Sequence, residues 1–243
     1  MKVIHIEARL KAKFELPKEF IEKLPKKVAV FTTIQLMNSL PIIAKQLEET
    51  GREGVILKTG HTRHKGQILG CNVQRFEDYT DEEFDAFLYV GDGFFHPKAL
   101  EWKNEDKQVH VYNPFTGKEY LLDGKDIEKT RKQYAAALSS FAFSNKIGVL
   151  VSTKPGQFFL KRALELKKEY PNKKFYYFTD NTINFESLED FPFIQVWVNT
   201  ACPRIPFEDQ VNISKPVVNL EDVRVNDKSR AVVHEKIGKI NVE

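Results

Sequence analysis

Two cysteines, Cys71 and Cys202, are the residues whose type and setting best suit chemistry. Cys71 ends the glycine-containing stretch 66–71. Cys202 lies in a turn beside Arg204, directly after the apolar run 194–198. A neighbouring cation favours the thiolate, the form of cysteine that attacks electrophiles and binds metals. Because ligands of open α/β sheets gather beyond the carboxyl ends of strands, we expect both thiols in one crevice.

The spacing of the two cysteines leaves two interpretations open. They stand 131 residues apart (202 − 71 = 131), which excludes the short C-x-x-C spacing of zinc ribbons and thioredoxin-like motifs. Buried cysteines often serve as small apolar side chains, and this is the structural alternative. The turn residues around both cysteines favour a ligand site, since core cysteines more often lie inside strands or helices.

Hydroxyl side chains follow two further strand-like runs and are candidate ligands for an anionic group of a cofactor. Thr32 and Thr33 end the first run, and Ser152 and Thr153 end the second, with Gln157 close by. Capping of a following helix is the alternative role of the hydroxyls. Neither the dinucleotide pattern G-x-G-x-x-G nor the phosphate-binding pattern G-x-x-x-x-G-K-S/T occurs in the sequence, so neither standard site is supported.

A carboxylate and an imidazole, Asp92 and His96, follow the apolar run 86–90. Gly91 and Gly93 would let a ligand approach the backbone closely. A tight turn in which Asp92 binds the backbone is the alternative. The apolar residues that follow are unusual for a solvated turn, so we take Asp92 and His96 as candidate catalytic residues.

Strand-like and helical segments alternate along the chain and predict the elements that position these residues. Short apolar runs are typical of strands buried on both faces, and spacings of three and four residues are typical of helices. The alternation predicts an α/β fold of two tandem Rossmann-like units with parallel sheets and right-handed crossovers. The predicted strands are 28–31, 54–58, 86–90 and 109–112 before a linking helix at 126–143, and 146–151, 174–178 and 194–198 after it.

The two halves repeat one pattern. Residues 27–31 align with residues 146–150 at a constant offset of 119 (146 − 27 = 119), which predicts an internal duplication. An additional strand at 2–10 is an orphan, because a lone strand needs a sheet to join. The predicted organisation is a strand and lead-in over 1–24, a unit over 25–122 with Cys71, a unit over 123–225 with Cys202, and a tail over 226–243.

Composition narrows the class of protein. The 37 basic and 34 acidic residues leave a net charge of +3, which argues against a dominant nucleic-acid or membrane surface. No signal-peptide pattern follows Met1, and no apolar run approaches the roughly 18 residues typical of a membrane span. Two cysteines without an export signal point to a reducing, cytoplasmic compartment, where a structural disulfide is not expected.

Several motifs of the chain resemble the diphthamide synthase family, the 2-(3-amino-3-carboxypropyl)histidine synthases of archaea and eukaryotes. The likeness runs from about residue 3 to about residue 222, with the motifs in the family's order. It adds Gln35 to the candidate cofactor-binding residues. The motifs are GQILGC at 66–71, YVGDGFFH at 89–96, YNPF at 112–115 and ACPR at 201–204, with VFTTIQ at 30–35 and STKPGQ at 152–157.

The resemblance implies a 4Fe-4S cluster held by three cysteines from three similar α/β domains, with one iron open to S-adenosylmethionine. Family members cleave the bond from sulfur to the methionine γ-carbon. The 3-amino-3-carboxypropyl radical then adds to a histidine of translation elongation factor two, the first step of diphthamide synthesis. Thiolates are the usual ligands of iron-sulfur clusters. Cys71 and Cys202 match the second and third family cysteines.

The first family cysteine has no match, because the domain that would bear it is missing ahead of the orphan strand. Asn113 stands where many members have Asp, and Phe94 where some have Arg. Because the chain retains both remaining cysteines, we favour a split enzyme, a homo- or hetero-oligomer in which another chain supplies the missing domain and cysteine. The alternatives are a truncated chain, a non-catalytic supporting subunit, and an α/β small-molecule-binding module with incidental cysteines.

Overall fold

The chain folds into two compact α/β units that divide after Asp126. The computed structural model describes residues 6–60, 62–78 and 80–224. Each unit is built on one sheet of mostly parallel strands with helices packed against it, which confirms the predicted fold class of two Rossmann-like units. In the part of the chain that the structure describes, no helix is long and apolar enough to cross a membrane.

The first unit has a five-stranded sheet in the order β2-β1-β3-β4-β5, parallel except for the edge strand β5. Every residue of β3 is buried, as expected for a strand covered on both faces. Its elements are α1 (Lys18–Glu22), β1 (Lys27–Thr32), α2 (Leu40–Glu49), β2 (Glu53–Val55), β3 (Ala86–Val90), α3 (Phe95–Glu101), β4 (Val109–Asn113) and β5 (Lys118–Leu122), with 3-10 helices at Ile34–Ser39 and Phe76–Asp78.

The second unit has a four-stranded, fully parallel sheet in the order β7-β6-β8-β9. Helix α4 packs on this sheet through the buried residues Ala137 and Phe141. The elements are α4 (Glu128–Phe143), β6 (Lys146–Ser152), α5 (Leu160–Glu169), β7 (Lys174–Asp180), β8 (Val196–Asn199), α6 (Ile205–Glu208), β9 (Val217–Asn219) and α7 (Leu220–Val223), with 3-10 helices at Glu186–Asp190 and Gln210–Asn212.

The strand orders of the two units correspond. Strands β1 and β6 begin at Lys27 and Lys146, which is the predicted offset of 119 (146 − 27 = 119). Each of them lies between the second and third strands of its own unit, and the fourth strand follows the third. A shared order of four parallel strands agrees with an internal duplication, and the antiparallel β5 is an addition to the first unit.

The predicted N-terminal strand at 2–10 is wrong where it can be compared. Residues 1–5 lie outside the described residues, and residues 6–10 form no strand. The Leu10 backbone N–H donates to the Gln35 carbonyl (2.8 Å), and the Leu10 carbonyl accepts from Asn38 Nδ2 (2.9 Å). At Leu10, therefore, the backbone groups that a sheet would use are bonded to a 3-10 helix instead.

The predicted lead-in over 1–24 also differs from the structure. Leu16, Phe20, Ile21 and Leu24 are buried in the same hydrophobic cluster as β1 and β3, so residues 16–24 belong to the first unit. The predicted tail at 226–243 lies outside the described residues.

Candidate functional site

The loop that carries Cys71 is attached to the carboxyl end of β1. The Thr32 N–H donates to the Gly66 carbonyl (2.8 Å), and the Ile68 N–H donates to the Thr32 carbonyl (2.9 Å). The Thr32 hydroxyl donates in the other direction, to the Val90 carbonyl at the end of β3 (2.6 Å). Thr32 therefore connects the Cys71 loop to the carboxyl end of β3.

Two glycines of the Cys71 loop are required by the packing. Gly66 has a φ of +75°, and a β-carbon there would stand 2.6 Å from Leu40 Cδ1. A β-carbon on Gly70 would stand 2.0 Å from a ring carbon of Phe95, the first residue of α3. The loop thus passes close under the Phe95 ring just before it reaches Cys71, which is half-buried.

Asn72 holds the loop from the other side of Cys71. Its side-chain Oδ1 accepts from the Leu69 N–H (2.7 Å), and its Nδ2 donates to the Gly60 carbonyl (2.5 Å). The side chain is buried, so these bonds are made away from water. Sequence reasoning missed Asn72, although a polar residue directly after the cysteine was the available signal.

The loop after β3 carries the candidate catalytic residues in a different setting from the predicted one. Asp92 is exposed, whereas His96 is half-buried and is the second residue of α3 rather than part of a loop. The His96 ring stacks on Tyr89 with centroids 6.2 Å apart and an interplanar angle of 17°. Burial of Tyr89 raises the pKa of its hydroxyl well above the usual range, and the nearby Asp92 charge adds to the shift.

The strand registers relate the loop that carries Asp92 to the loop that carries Cys202, because both follow the third strand of their unit. With β1 matched to β6 at the offset of 119, the pairings make Ala86 the counterpart of Val196, an offset of 110 (196 − 86 = 110). The same offset carries Asp92 onto Cys202 (92 + 110 = 202). The loop after β3 therefore occupies in the first unit the position that bears the cysteine in the second unit.

Cys202 lies in the loop between β8 and α6 and is half-buried. Its carbonyl accepts from Asn199 Nδ2 (2.8 Å) and from the Ile205 N–H (3.1 Å). The Thr200 N–H donates to the Leu150 carbonyl of β6 (3.0 Å), which attaches the loop to the central strand of the unit. The cysteine is therefore presented on a tightly bonded turn.

Arg204, the cation expected beside the Cys202 thiol, is ion-paired within α6. Its guanidinium is buried and contacts the Glu208 carboxylate through both Nε (2.9 Å) and Nη2. The Glu208 carboxylate therefore neutralises part of the Arg204 charge. This weakens the expectation that Arg204 favours the thiolate form of Cys202.

The candidate cofactor-binding residues lie at corresponding places in the two units: Thr32 and Ser152 end β1 and β6, and the others follow within the next five residues. Helix capping does not account for the hydroxyls: Thr33 is at the N-cap of a 3-10 helix without a side-chain capping bond, and the N-cap of α5 is Phe159. The Ser152 hydroxyl accepts from the Lys154 N–H (3.2 Å) in a local turn. Thr32, Thr33 and Ser152 are buried, Gln157 is half-buried, and Gln35 and Thr153 are exposed.

The candidate metal ligands do not form a complete site within the part of the chain that the structure describes. Among residues 6–60, 62–78 and 80–224, no three His, Cys, Asp or Glu side chains group as ligands of a metal ion. Cys71 and Cys202 belong to different units and are the chain's two cysteines. A cluster that needs three cysteine ligands therefore does not fit the donors of this chain alone.

The family model described as "Putative diphthamide synthesis protein" matches residues 1–236. The 2-(3-amino-3-carboxypropyl)histidine synthase of Pyrococcus horikoshii is 33% identical over 211 residues, which are 84% of this chain and 58% of that protein. The 2-(3-amino-3-carboxypropyl)histidine synthase subunit 1 of Nematostella vectensis is 25% identical over 194 residues, which are 79% of this chain and 40% of that protein. The chain thus spans about half the length of these relatives.

A solved structure agrees with the sequence comparison. The crystal structure of Dph2 from Pyrococcus horikoshii with a 4Fe-4S cluster matches with a TM-score of 0.65 and 30% identity, covering 83% of this chain and 57% of that chain. The likeness therefore extends over most of the present chain.

Proposed function

The chain belongs to the family of diphthamide synthesis proteins, and from this premise we propose that it acts in the first step of diphthamide biosynthesis. In that step the 3-amino-3-carboxypropyl group of S-adenosylmethionine is transferred to a histidine of translation elongation factor two. The proposed enzyme is a cytoplasmic S-adenosylmethionine-dependent transferase that uses a 4Fe-4S cluster and a radical reaction.

The observation that carries the proposal is the placement of the chain's two cysteines. Each is half-buried on a bonded loop beyond the carboxyl end of a parallel strand, where α/β folds bind ligands. The related Dph2 structure holds a 4Fe-4S cluster. Thiolates are the usual ligands of such clusters, so Cys71 and Cys202 are proposed as two of three ligands.

The third ligand must come from outside this chain, because the chain contains two cysteines. A partner chain that supplies a further α/β domain with one cysteine would complete the set. The eukaryotic relatives are named subunit 1, which supports an assembly of more than one chain. When bound, the cluster would supply the electron that cleaves the carbon–sulfur bond of S-adenosylmethionine.

The remaining candidates have roles that follow from their positions. Hydroxyls and amides at and just beyond the carboxyl ends of β1 and β6 suit the polar groups of S-adenosylmethionine. Asp92 and His96 are proposed to accept the proton that the substrate imidazole would lose after radical addition, while the electron lost with it would return to the oxidised cluster. The exposed Asp92 carboxylate is accessible to a protein substrate. The proposed S-adenosylmethionine-binding residues are Thr32, Thr33, Gln35, Ser152, Thr153 and Gln157.

The test is anaerobic reconstitution with iron and sulfide of the chain purified together with the chains that accompany it in its native cell. Visible absorption and electron paramagnetic resonance report the cluster. We expect a cluster in the wild-type assembly and its loss in Cys71→Ala and in Cys202→Ala. Ser139→Ala, which removes one side-chain heavy atom from the exposed face of α4, is the matched control and should keep the cluster.

Two results would contradict the proposal. A cluster retained in both cysteine variants would show that other residues hold it. A wild-type assembly that takes up no iron-sulfur cluster would favour the α/β binding module with incidental cysteines.

A further inference from the structure

Two buried asparagines stand side by side beneath the Cys202 loop. Asn199 ends β8 and Asn219 ends β9, and they are direct partners in the register of these strands. Asn199 Nδ2 donates to Asn219 Oδ1 (2.8 Å). Only 2% of Asn199 and 4% of Asn219 is exposed, so their amides need partners inside the protein.

Both amides bind the backbone on either side of Cys202. Asn199 Oδ1 accepts from the Ala201 N–H (3.0 Å), and Asn199 Nδ2 donates to the Cys202 carbonyl (2.8 Å). Asn219 Nδ2 donates to the Pro203 carbonyl (2.9 Å). Three consecutive residues, with the cysteine in the middle, are therefore tied to two side chains that are themselves bonded together.

The pair is anchored in the core of the unit. The Asn219 N–H donates to the Tyr134 hydroxyl (3.0 Å), and this hydroxyl donates to Asp222 Oδ2 (2.6 Å). Tyr134 lies on α4 and Asp222 on α7, so the loop is connected through Asn219 to two helices. A network whose members are all satisfied gives a rigid site, because moving one member would leave another buried polar group without its bond.

We propose that Asn199 and Asn219 are positioning residues that fix the direction of the Cys202 side chain. This role rests on the proposed function. A thiolate that binds a cluster shared with other domains must already point towards that cluster. Groups that orient the direct ligands of a metal are commonly required for its affinity. Asparagine is required at both positions since its amide donates and accepts at once, which neither aspartate nor alanine can do.

The test compares alkylation of Cys202 and Cys71 by iodoacetamide in the metal-free native assembly, with each site quantified by peptide mass spectrometry. Asn199→Ala removes three bonds to or beside the loop. We expect the rate at Cys202 to rise about tenfold, which corresponds to about 1.4 kcal/mol of local opening. Cys71, in the other unit, is the internal reference and should keep its rate.

Two control variants separate positioning from general destabilisation. Val149→Ala removes buried volume from β6 in a different hydrophobic cluster from the one that Cys202 borders, so it should lower stability without raising the Cys202 rate selectively. Asn212→Ala changes an exposed asparagine and should alter neither quantity. Unfolding in urea measures the stability of every variant.

The outcomes of this test are distinct from those of cluster reconstitution. An unchanged Cys202 rate in Asn199→Ala and Asn219→Ala overturns the positioning role, whether or not a cluster forms. Equal acceleration by Val149→Ala at equal loss of stability overturns it as well. Selective acceleration in an assembly that never takes up a cluster would leave the positioning role standing and refute the proposed function.

Discussion

The Phe95 ring lies over Gly70, the residue directly before Cys71. A β-carbon on Gly70 would stand 2.0 Å from Phe95 Cε1, which is far shorter than any real contact. The start of α3 therefore sits directly on the Cys71 loop. The two residues are 25 positions apart in sequence, and this contact joins the two loops that carry Cys71 and Asp92.

Substitution of Gly70 by alanine should displace the Phe95 ring. We expect Gly70→Ala to lower the free energy of unfolding by about 0.5–1.5 kcal/mol, the cost of forcing a side chain off its rotamer, because Phe95 is 56% exposed and its ring can turn away. Urea unfolding measures the change. Gly60→Ala is the control, because its β-carbon would meet only Gln74 Oε1 at an ordinary 3.8 Å.

A double-mutant cycle identifies the cause of the stability that Gly70→Ala is expected to lose. With Phe95→Ala as the background, Gly70→Ala should cost less than half as much, since the clashing ring is gone. An undiminished cost in this background would show that the strain comes from the backbone of Gly70 and not from Phe95.

Acid should release the N-terminal segment from the Cys71 loop. The Glu7 carboxylate contacts His64 Nε2 (2.7 Å) and Arg9 Nη2 (2.8 Å), and these hydrogen bonds lower the Glu7 pKa from 4.5 to about 2. A carboxyl whose pKa is lowered on folding stabilises the attachment above about pH 4.5. That contribution is lost progressively as the pH falls towards 2.

Hydrogen exchange over residues 6–16 measures this release. We expect the Leu10 N–H, which donates to the Gln35 carbonyl, to lose protection in acid relative to intrinsic exchange. Glu7→Gln should show the weaker protection already at pH 7, whereas the exposed control Glu15→Gln should match the wild type. Equal protection in Glu7→Gln and wild type at pH 7 would refute the attachment by Glu7.

Loss of the Lys173 ammonium should destabilise the second unit. Lys173 Nζ donates to the carbonyls of Phe141 and Ala142 (both 2.9 Å) and of Ser144 (2.5 Å) at the carboxyl end of α4. These carbonyls have no partner within the helix, and the helix dipole favours a cation there. Lys173→Met should lower the free energy of unfolding by about 1–3 kcal/mol in urea. The exposed Lys168→Met is the control, and an equal effect of both would contradict the capping role.

We expect the Thr32 hydroxyl to stabilise the fold, in addition to its candidate role in cofactor binding. It donates to the Val90 carbonyl (2.6 Å) and is buried. Thr32→Val keeps the shape but leaves that carbonyl without its side-chain donor, so we expect a loss of about 1–2 kcal/mol in thermal or urea unfolding. The exposed Thr153→Val should cost no more than about 0.5 kcal/mol. If Thr32→Val were as stable as the wild type, the Thr32 hydroxyl would not contribute to the stability of the fold.

Several elements could be predicted from the sequence because their buried residues form a continuous or periodic run of apolar side chains. Strand β3 has the predicted bounds 86–90, as all five of its residues are apolar and buried. Pro41 interrupts a run of apolar residues at helical spacing, which predicts either a kink or a late helix start, and α2 begins at Leu40 with the proline in its first turn. Strand β5 was missed because four of its five residues are exposed at the sheet edge, where no apolar pattern is needed.

The sequence by itself determined the α/β alternation, the repeat at an offset of 119 residues and the presence of a cysteine in a turn after a strand in each unit. These features are encoded by residues close together in the chain. Tertiary structure alone decided that Asn199 meets Asn219, that Phe95 covers Gly70 and that Glu7 reaches His64. The physical reason is that hydrogen bonds and steric contacts between distant residues depend on how strands pair, and neither periodicity nor composition records that pairing.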